Sequence, residues 1–134
     1  MNVDITLHTV QVLDGETEET RLTARGTLEQ RKDGVLLSYT EPEGAAVTVT
    51  VRPSQTVIER HGEVHSQLLL EVGKRHLCRY ETPYGRLMLH TQAQTLQFSF
   101  ENGTGCLQAA YLLDMNGAAI AHQIEIRIKE VSPC

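Results

Sequence analysis

The stretch Arg79-Tyr80-Glu81-Thr82-Pro83-Tyr84-Gly85-Arg86-Leu87 decides the fold. Pro83 presets φ for a turn position and Gly85 accepts a positive φ, so one strand ends at Thr82 and the next begins at Gly85. With two residues in the turn, Glu81 faces Arg86, Tyr80 faces Leu87, Cys78 faces Leu89 and His76 faces Thr91. That register predicts Tyr80, Cys78, Leu87 and Leu89 on one face of a hairpin and the charged pair Glu81 and Arg86 on the other.

Outward from this hairpin the same period of two recurs, broken at Gly, Pro, Asn and Asp. Val3, Ile5 and Leu7 share a face, and the opposite parity of Val10 and Val12 predicts a β-bulge near His8 and Thr9. Leu22, Ala24, Gly26 and Leu28 keep one parity, with Gly26 marking a bend or a close backbone approach. After the Asp33-Gly34 hairpin signal, Val35, Leu37, Tyr39 and Glu41 take the inner face. Val47, Val49 and Val51 form a β-branched run, and Thr56, Ile58 and Arg60 follow. Leu96, Phe98 and Phe100 read as a strand separate from Leu87, Leu89 and Thr91. Beyond the Asn102-Gly103 turn come Leu107, Ala109, Tyr111 and Leu113. Past Asn116-Gly117, Ile120, His122, Ile124, Ile126 and Ile128 oppose an almost wholly polar face of Ala121, Gln123, Glu125, Arg127 and Lys129.

About ten short strands, each with one apolar face and joined to the next by a tight turn, predict an all-β antiparallel up-and-down β-barrel. Closure removes the edges that so large a sheet would expose. A two-sheet sandwich is the rival, disfavoured by the meander-like connections. The chain, residues 1–134, suits a single domain with one core.

Its 12 basic and 17 acidic residues give a formal charge of −5, and no run of Lys and Arg offers a track for phosphates, which argues against nucleic acid. The N-terminus alternates instead of carrying a basic start and an apolar run, and no stretch approaches the ~18 apolar residues of a membrane span. A soluble, cytoplasmic protein without membrane contact is expected. Three widely spaced cysteines, Cys78, Cys106 and Cys134, fit reduced thiols in a cytosol, Cys78 as a small buried residue and Cys134 as an exposed terminal thiol.

The combination of Leu37-Ser38-Tyr39-Thr40-Glu41, Ile58-Glu59-Arg60-His61-Gly62, Tyr80-Glu81-Thr82-Pro83-Tyr84-Gly85-Arg86-Leu87 and Ala110-Tyr111-Leu112-Leu113 resembles the YwiB-type proteins. These are small bacterial calycin-like β-barrels with no established activity. The resemblance spans nearly the whole chain, and its most specific segment is Tyr80 to Gly85. It implies a calycin-like (lipocalin-like) barrel of about 8–10 strands and supplies no catalytic residues. The Gly-x-Trp opening of true lipocalins is missing, since the chain has no Trp.

Strand parity aims Tyr39, Glu41, Arg60, His76, Tyr80, Tyr111 and His122 into an interior otherwise lined by Leu, Val, Ile and Phe. One reading is a cavity in which Tyr39, Glu41, Arg60, Tyr80, Tyr111 and His122 orient a small amphipathic or anionic ligand, with Arg60 on an acidic headgroup. The other, which is favoured, is structural. In it Arg60 pairs with Glu41 near one barrel end and the tyrosine hydroxyls reach backbone carbonyls. His122 is expected to be a core histidine satisfied by one or two hydrogen bonds rather than a haem or metal ligand.

No Cys or carboxylate sits at ligand spacing from the six histidines, no Gly-x-Ser-x-Gly occurs, and Asn102-Gly103-Thr104-Gly105 is a turn without a helix to receive a phosphate. No metal, cofactor or catalytic residue is expected, and the protein reads as a non-enzymatic intracellular binding protein. The alternative is a protein-interaction or homo-oligomer module with a fully packed barrel, using the outward Leu36, Leu69, Leu77, Met88 and Leu112.

Overall fold

The computed structural model describes residues 1–115 and 117–131; Asn116 and Cys134, both singled out above, lie outside these. Ten strands run in chain order: β1 (Asn2–Leu13), β2 (Glu16–Arg31), β3 (Gly34–Thr40), β4 (Ala46–Val51), β5 (Thr56–His61), β6 (His65–Leu70), β7 (Arg75–Thr82), β8 (Gly85–Glu101), β9 (Thr104–Met115) and β10 (Ala118–Glu130). Each pairs antiparallel with its chain neighbours, and β1 pairs with β10 to close the barrel. Among the described residues there is no helix long and apolar enough to cross a membrane.

The hairpin of β7 and β8 has the register that its turn residues dictate. Glu81 faces Arg86, Tyr80 faces Leu87, Cys78 faces Leu89 and His76 faces Thr91. Thr82 closes the turn through its Oγ1, which accepts from the Tyr84 N–H and donates to the Gly85 carbonyl, both at 3.1 Å. Gly85 has φ +142°, where a side chain would be strained. On the outer face Arg86 Nε lies 3.1 Å from Glu81 Oε1.

Two local readings need correction. β1 has no bulge, because its pairing with β2 and β10 runs unbroken through His8 and Thr9. Thr9 and Gln11 continue the inward parity of Leu7, while Val12 is exposed. Leu87 to Thr91 and Leu96 to Phe100 belong to one strand, β8, with a register shift between Ala93 and Thr95. The extra residue reverses the parity while the strand continues.

Gly26 is the close approach anticipated. A Cβ there would lie 2.1 Å from the Ser38 carbonyl oxygen of the adjacent strand.

The two ends of the barrel differ. Around the end bearing the β2–β3 and β8–β9 turns, Val3, Ile5, Leu28, Val35, Leu37, Val49, Val51, Leu107, Ile126 and Ile128 form a continuous buried cluster. Toward the other end, formed by the β1–β2, β3–β4, β5–β6 and β7–β8 connections and by the start of β10, this packing gives way to a cavity.

The wall is thinnest between β6 and β7, whose ladder contains only the pairs of His65, Ser66 and Gln67 with Glu81, Tyr80 and Arg79. Beyond them, side chains replace the missing ladder. The Leu69 N–H donates to Cys78 Sγ at 3.3 Å, and Thr91 Oγ1 on β8 donates to the Leu69 carbonyl at 2.5 Å. This gives buried Cys78 and Thr91 a structural task, since unpaired backbone groups there would be costly.

Candidate functional site

The cavity has a volume of about 540 Å³ and lies at the barrel end that carries the β1–β2, β3–β4, β5–β6 and β7–β8 connections. Its wall is mostly apolar, with Leu7, Leu22, Val47, Ile58, Leu68, Leu89, Ile124 and Ile126 contributed by strands all round the barrel. Pairing brings its polar residues together in two belts. Across β3 to β8, Tyr39 pairs with Val47, Val47 with Arg60, Arg60 with Ser66, Ser66 with Tyr80 and Tyr80 with Leu87. Across β9, β10 and β1, Tyr111 pairs with His122 and His122 with Gln11. Residues directly opposite on adjacent strands share a face, so each belt points inward as a unit.

All six residues singled out from the sequence, Tyr39, Glu41, Arg60, Tyr80, Tyr111 and His122, line this one cavity. His76 does not. It sits toward the packed end, where its Nε2 is 3.0 Å from Glu71 Oε1. Thr9, Gln11, Thr20, Glu43 and Ser66 also line the cavity and were missed. Thr9 and Gln11 were legible as the continuation of Val3, Ile5 and Leu7, had the polar residues not been taken for the outer face. Thr20 follows from its pairing with Thr9.

Arg60 and Glu41 form an ion pair, with Nε 2.9 Å from Oε1. The two partners are unequal, for the Glu41 side chain is 4% exposed and that of Arg60 is 41% exposed. The contact is one of charge, because the Arg60 N–H is not directed at the carboxylate and the buried Oε1 receives no hydrogen bond. Burial holds the Glu41 carboxyl above the usual carboxylate range and Arg60 pulls it back, while Glu43 pushes it further up. Burial also raises the Tyr39 hydroxyl to about 12, with Glu41 adding to the rise and Arg60 opposing it. Tyr111 is likewise raised, mainly by burial.

His122 stacks on Tyr111, with ring centroids 5.0 Å apart and planes 9° from parallel. Its Nε2 is buried without a hydrogen-bond partner, contrary to the satisfied core histidine expected from the sequence. The reason is position. The ring borders the cavity and is covered by Tyr111, whose stacked face offers Nε2 no hydrogen bond. Burial holds its pKa below that of an ordinary histidine, so the imidazole is neutral. The tyrosine hydroxyls also depart from the expected backbone contacts, for among the described residues none of the side-chain hydrogen bonds involves Tyr39, Tyr80 or Tyr111. No cluster of three or more His, Cys, Asp or Glu suited to a metal ion occurs among the described residues.

A family model described as a domain of unknown function, DUF1934, matches residues 5–128. The chain belongs to the DUF1934 family. The crystal structure of the ywiB protein from Bacillus subtilis resembles this member with a TM-score of 0.87, over 98% of this chain and 92% of that one, at 20% identity. At such identity the likeness concerns the barrel itself. Comparison with curated proteins gave no match.

Proposed function

We propose that this DUF1934 protein is a non-enzymatic, intracellular binding protein that takes the apolar body of a small amphipathic molecule into the barrel and meets its polar group at Tyr39, Glu41, Arg60, Tyr80, Tyr111 and His122. The observation that carries the reading is the convergence of these six side chains, from separate parts of the sheet, on one cavity of about 540 Å³ with otherwise apolar walls. A volume of a few hundred cubic ångströms, an apolar lining and a few polar groups are what small-molecule sites share. A fully packed barrel, the premise of the rival interaction module, does not fit a cavity of this size.

The test is calorimetric titration of the protein with decanol, a neutral amphiphile whose chain of about ten carbons suits a cavity in this range. Saturable one-to-one binding is expected, with a rise in melting temperature because the ligand stabilises only the folded state. Leu68→Trp should narrow the cavity and weaken binding while the protein remains folded. If decanol, decanoate and decylamine all fail to bind, the reading falls.

A further inference from the structure

By formal charge the cavity wall is acidic, with two carboxylates against one guanidinium. Arg60 is its one basic side chain among the described residues, and Glu41 already lies against it at 2.9 Å. Glu43 adds a second carboxylate to the lining. An anionic headgroup would therefore meet no uncompensated cation, and it would have to compete with Glu41 for Arg60.

The unmet capacity that is shut off from water is that of an acceptor, whereas half-exposed Arg60 can give its N–H groups to solvent. Glu41 is 5% exposed, lines the cavity, and its Oε1 receives no hydrogen bond. A buried carboxylate oxygen in that condition gains most from a charged N–H donor, which gives a short and strong bond. Tyr39 and Tyr111 present aromatic surface to the same space, and the negative face of an aromatic ring attracts a cation.

We infer that the ligand's polar group is a cation bearing N–H donors, a primary amine or amidine, and that Glu41 is its anchor. This deepens the reading of the barrel as a binding protein for an amphipathic molecule and rests on it. Arg60 is then the cation that balances Glu41 in the free protein. Its half-exposed side chain can swing toward solvent when a ligand ammonium takes its place, so the buried carboxylate exchanges one positive partner for another.

Decylamine, decanol and decanoate share a chain and differ in headgroup, so titrating each into the same protein by calorimetry separates the two claims. Decylamine is expected to bind at least about tenfold more tightly than either of the others, the difference that one charge-assisted hydrogen bond supplies. Glu41→Gln should erase that advantage while decanol binding survives, and Arg60→Gln should preserve or tighten decylamine binding by removing its competitor. Circular dichroism checks that each variant is folded. Should Glu41→Gln fail to fold, the headgroup ranking in the wild type and in Arg60→Gln still decides. Decanoate binding more tightly than decylamine, with the preference lost in Arg60→Gln, would overturn the inference and make Arg60 an anion anchor, leaving the binding function intact. Equal binding of decanol and decylamine would also overturn it. No binding by any of the three would remove the inference together with the function beneath it.

Discussion

The two ends of the barrel share their strands yet have opposite interiors. At the packed end, inward positions carry Val3, Ile5, Leu28, Leu37, Val49 and Ile128, and these aliphatic side chains meet across the axis. At the open end the same strands place Thr9, Gln11, Tyr39, Glu41, Arg60 and His122 around the cavity. The difference teaches that one half holds the fold while the other carries buried polar groups that stability does not require. Partially satisfied polar groups such as Glu41 Oε1 and His122 Nε2 are costs that the packed half offsets.

Mutation should expose this division of labour. Leu37→Ala, in the packed half at 2% exposure, should cost about 2–5 kcal/mol in urea unfolding, through lost burial and a new void. Gly26→Ala tests the frame that joins the halves. Its Cβ would meet the Ser38 carbonyl oxygen at 2.1 Å, and the backbone shift should cost about 1–3 kcal/mol. Leu113→Ala, on the cavity wall, should cost only about 1 kcal/mol, since the side chain is only partly buried and borders the cavity. Equal losses for Leu37→Ala and Leu113→Ala would break the comparison.

A smaller effect should appear with pH. Glu41 binds its proton more tightly in the fold than in the unfolded chain, so it favours the folded state increasingly as pH falls through its raised value toward the ordinary 4.5, and this contribution is lost as pH rises again. The stability of wild type minus that of Glu41→Gln should therefore become more positive from pH 7 to pH 4.5. The difference cancels the opposing trend of surface carboxylates such as Asp114, which Arg75 holds below the usual range. A flat difference would mean that the charge of Arg60 fully offsets the effect of burial on Glu41. Smallest of all, Tyr111→Phe should change stability by no more than about 0.5 kcal/mol, because its hydroxyl gives up no protein hydrogen bond. A large loss would place Tyr111 in the supporting framework.

Much of the packed half was legible because parity and burial agree there. The inward run of β10 followed from its isoleucines, and the register of β7 and β8, whose turn lies at the other end, followed from Pro83 and Gly85. The open half was harder to read for a physical reason. Period-two patterning separates inside from outside only where the inside is dry, and at the cavity mouth Thr9 and Gln11 point inward while Val12 points out. The apparent parity change suggested a bulge in β1 that does not exist. The real register shift, between Ala93 and Thr95 in β8, was mistaken for a break between strands, because an added residue and a turn reverse parity alike. Tyr39, Glu41, Arg60, Tyr80, Tyr111 and His122 could be assigned to the interior one at a time. That they surround open space rather than fill it depends on side-chain volumes summed over all ten strands, which no single segment reveals.

The order of strands around the barrel also sets how the chain can assemble. Every pairing but one joins strands consecutive in sequence, so each can form by closing a loop of only a few residues. The exception brings Val3 opposite Glu130, across nearly the entire chain. The largest loop entropy thus falls on the single joint between β1 and β10, which favours an order in which the hairpin meander forms first and ring closure comes last. Substitutions in that joint would then act mainly by hastening unfolding, while those in the β7–β8 hairpin would slow folding, and the rate at which the ring reopens would govern how long the native barrel persists.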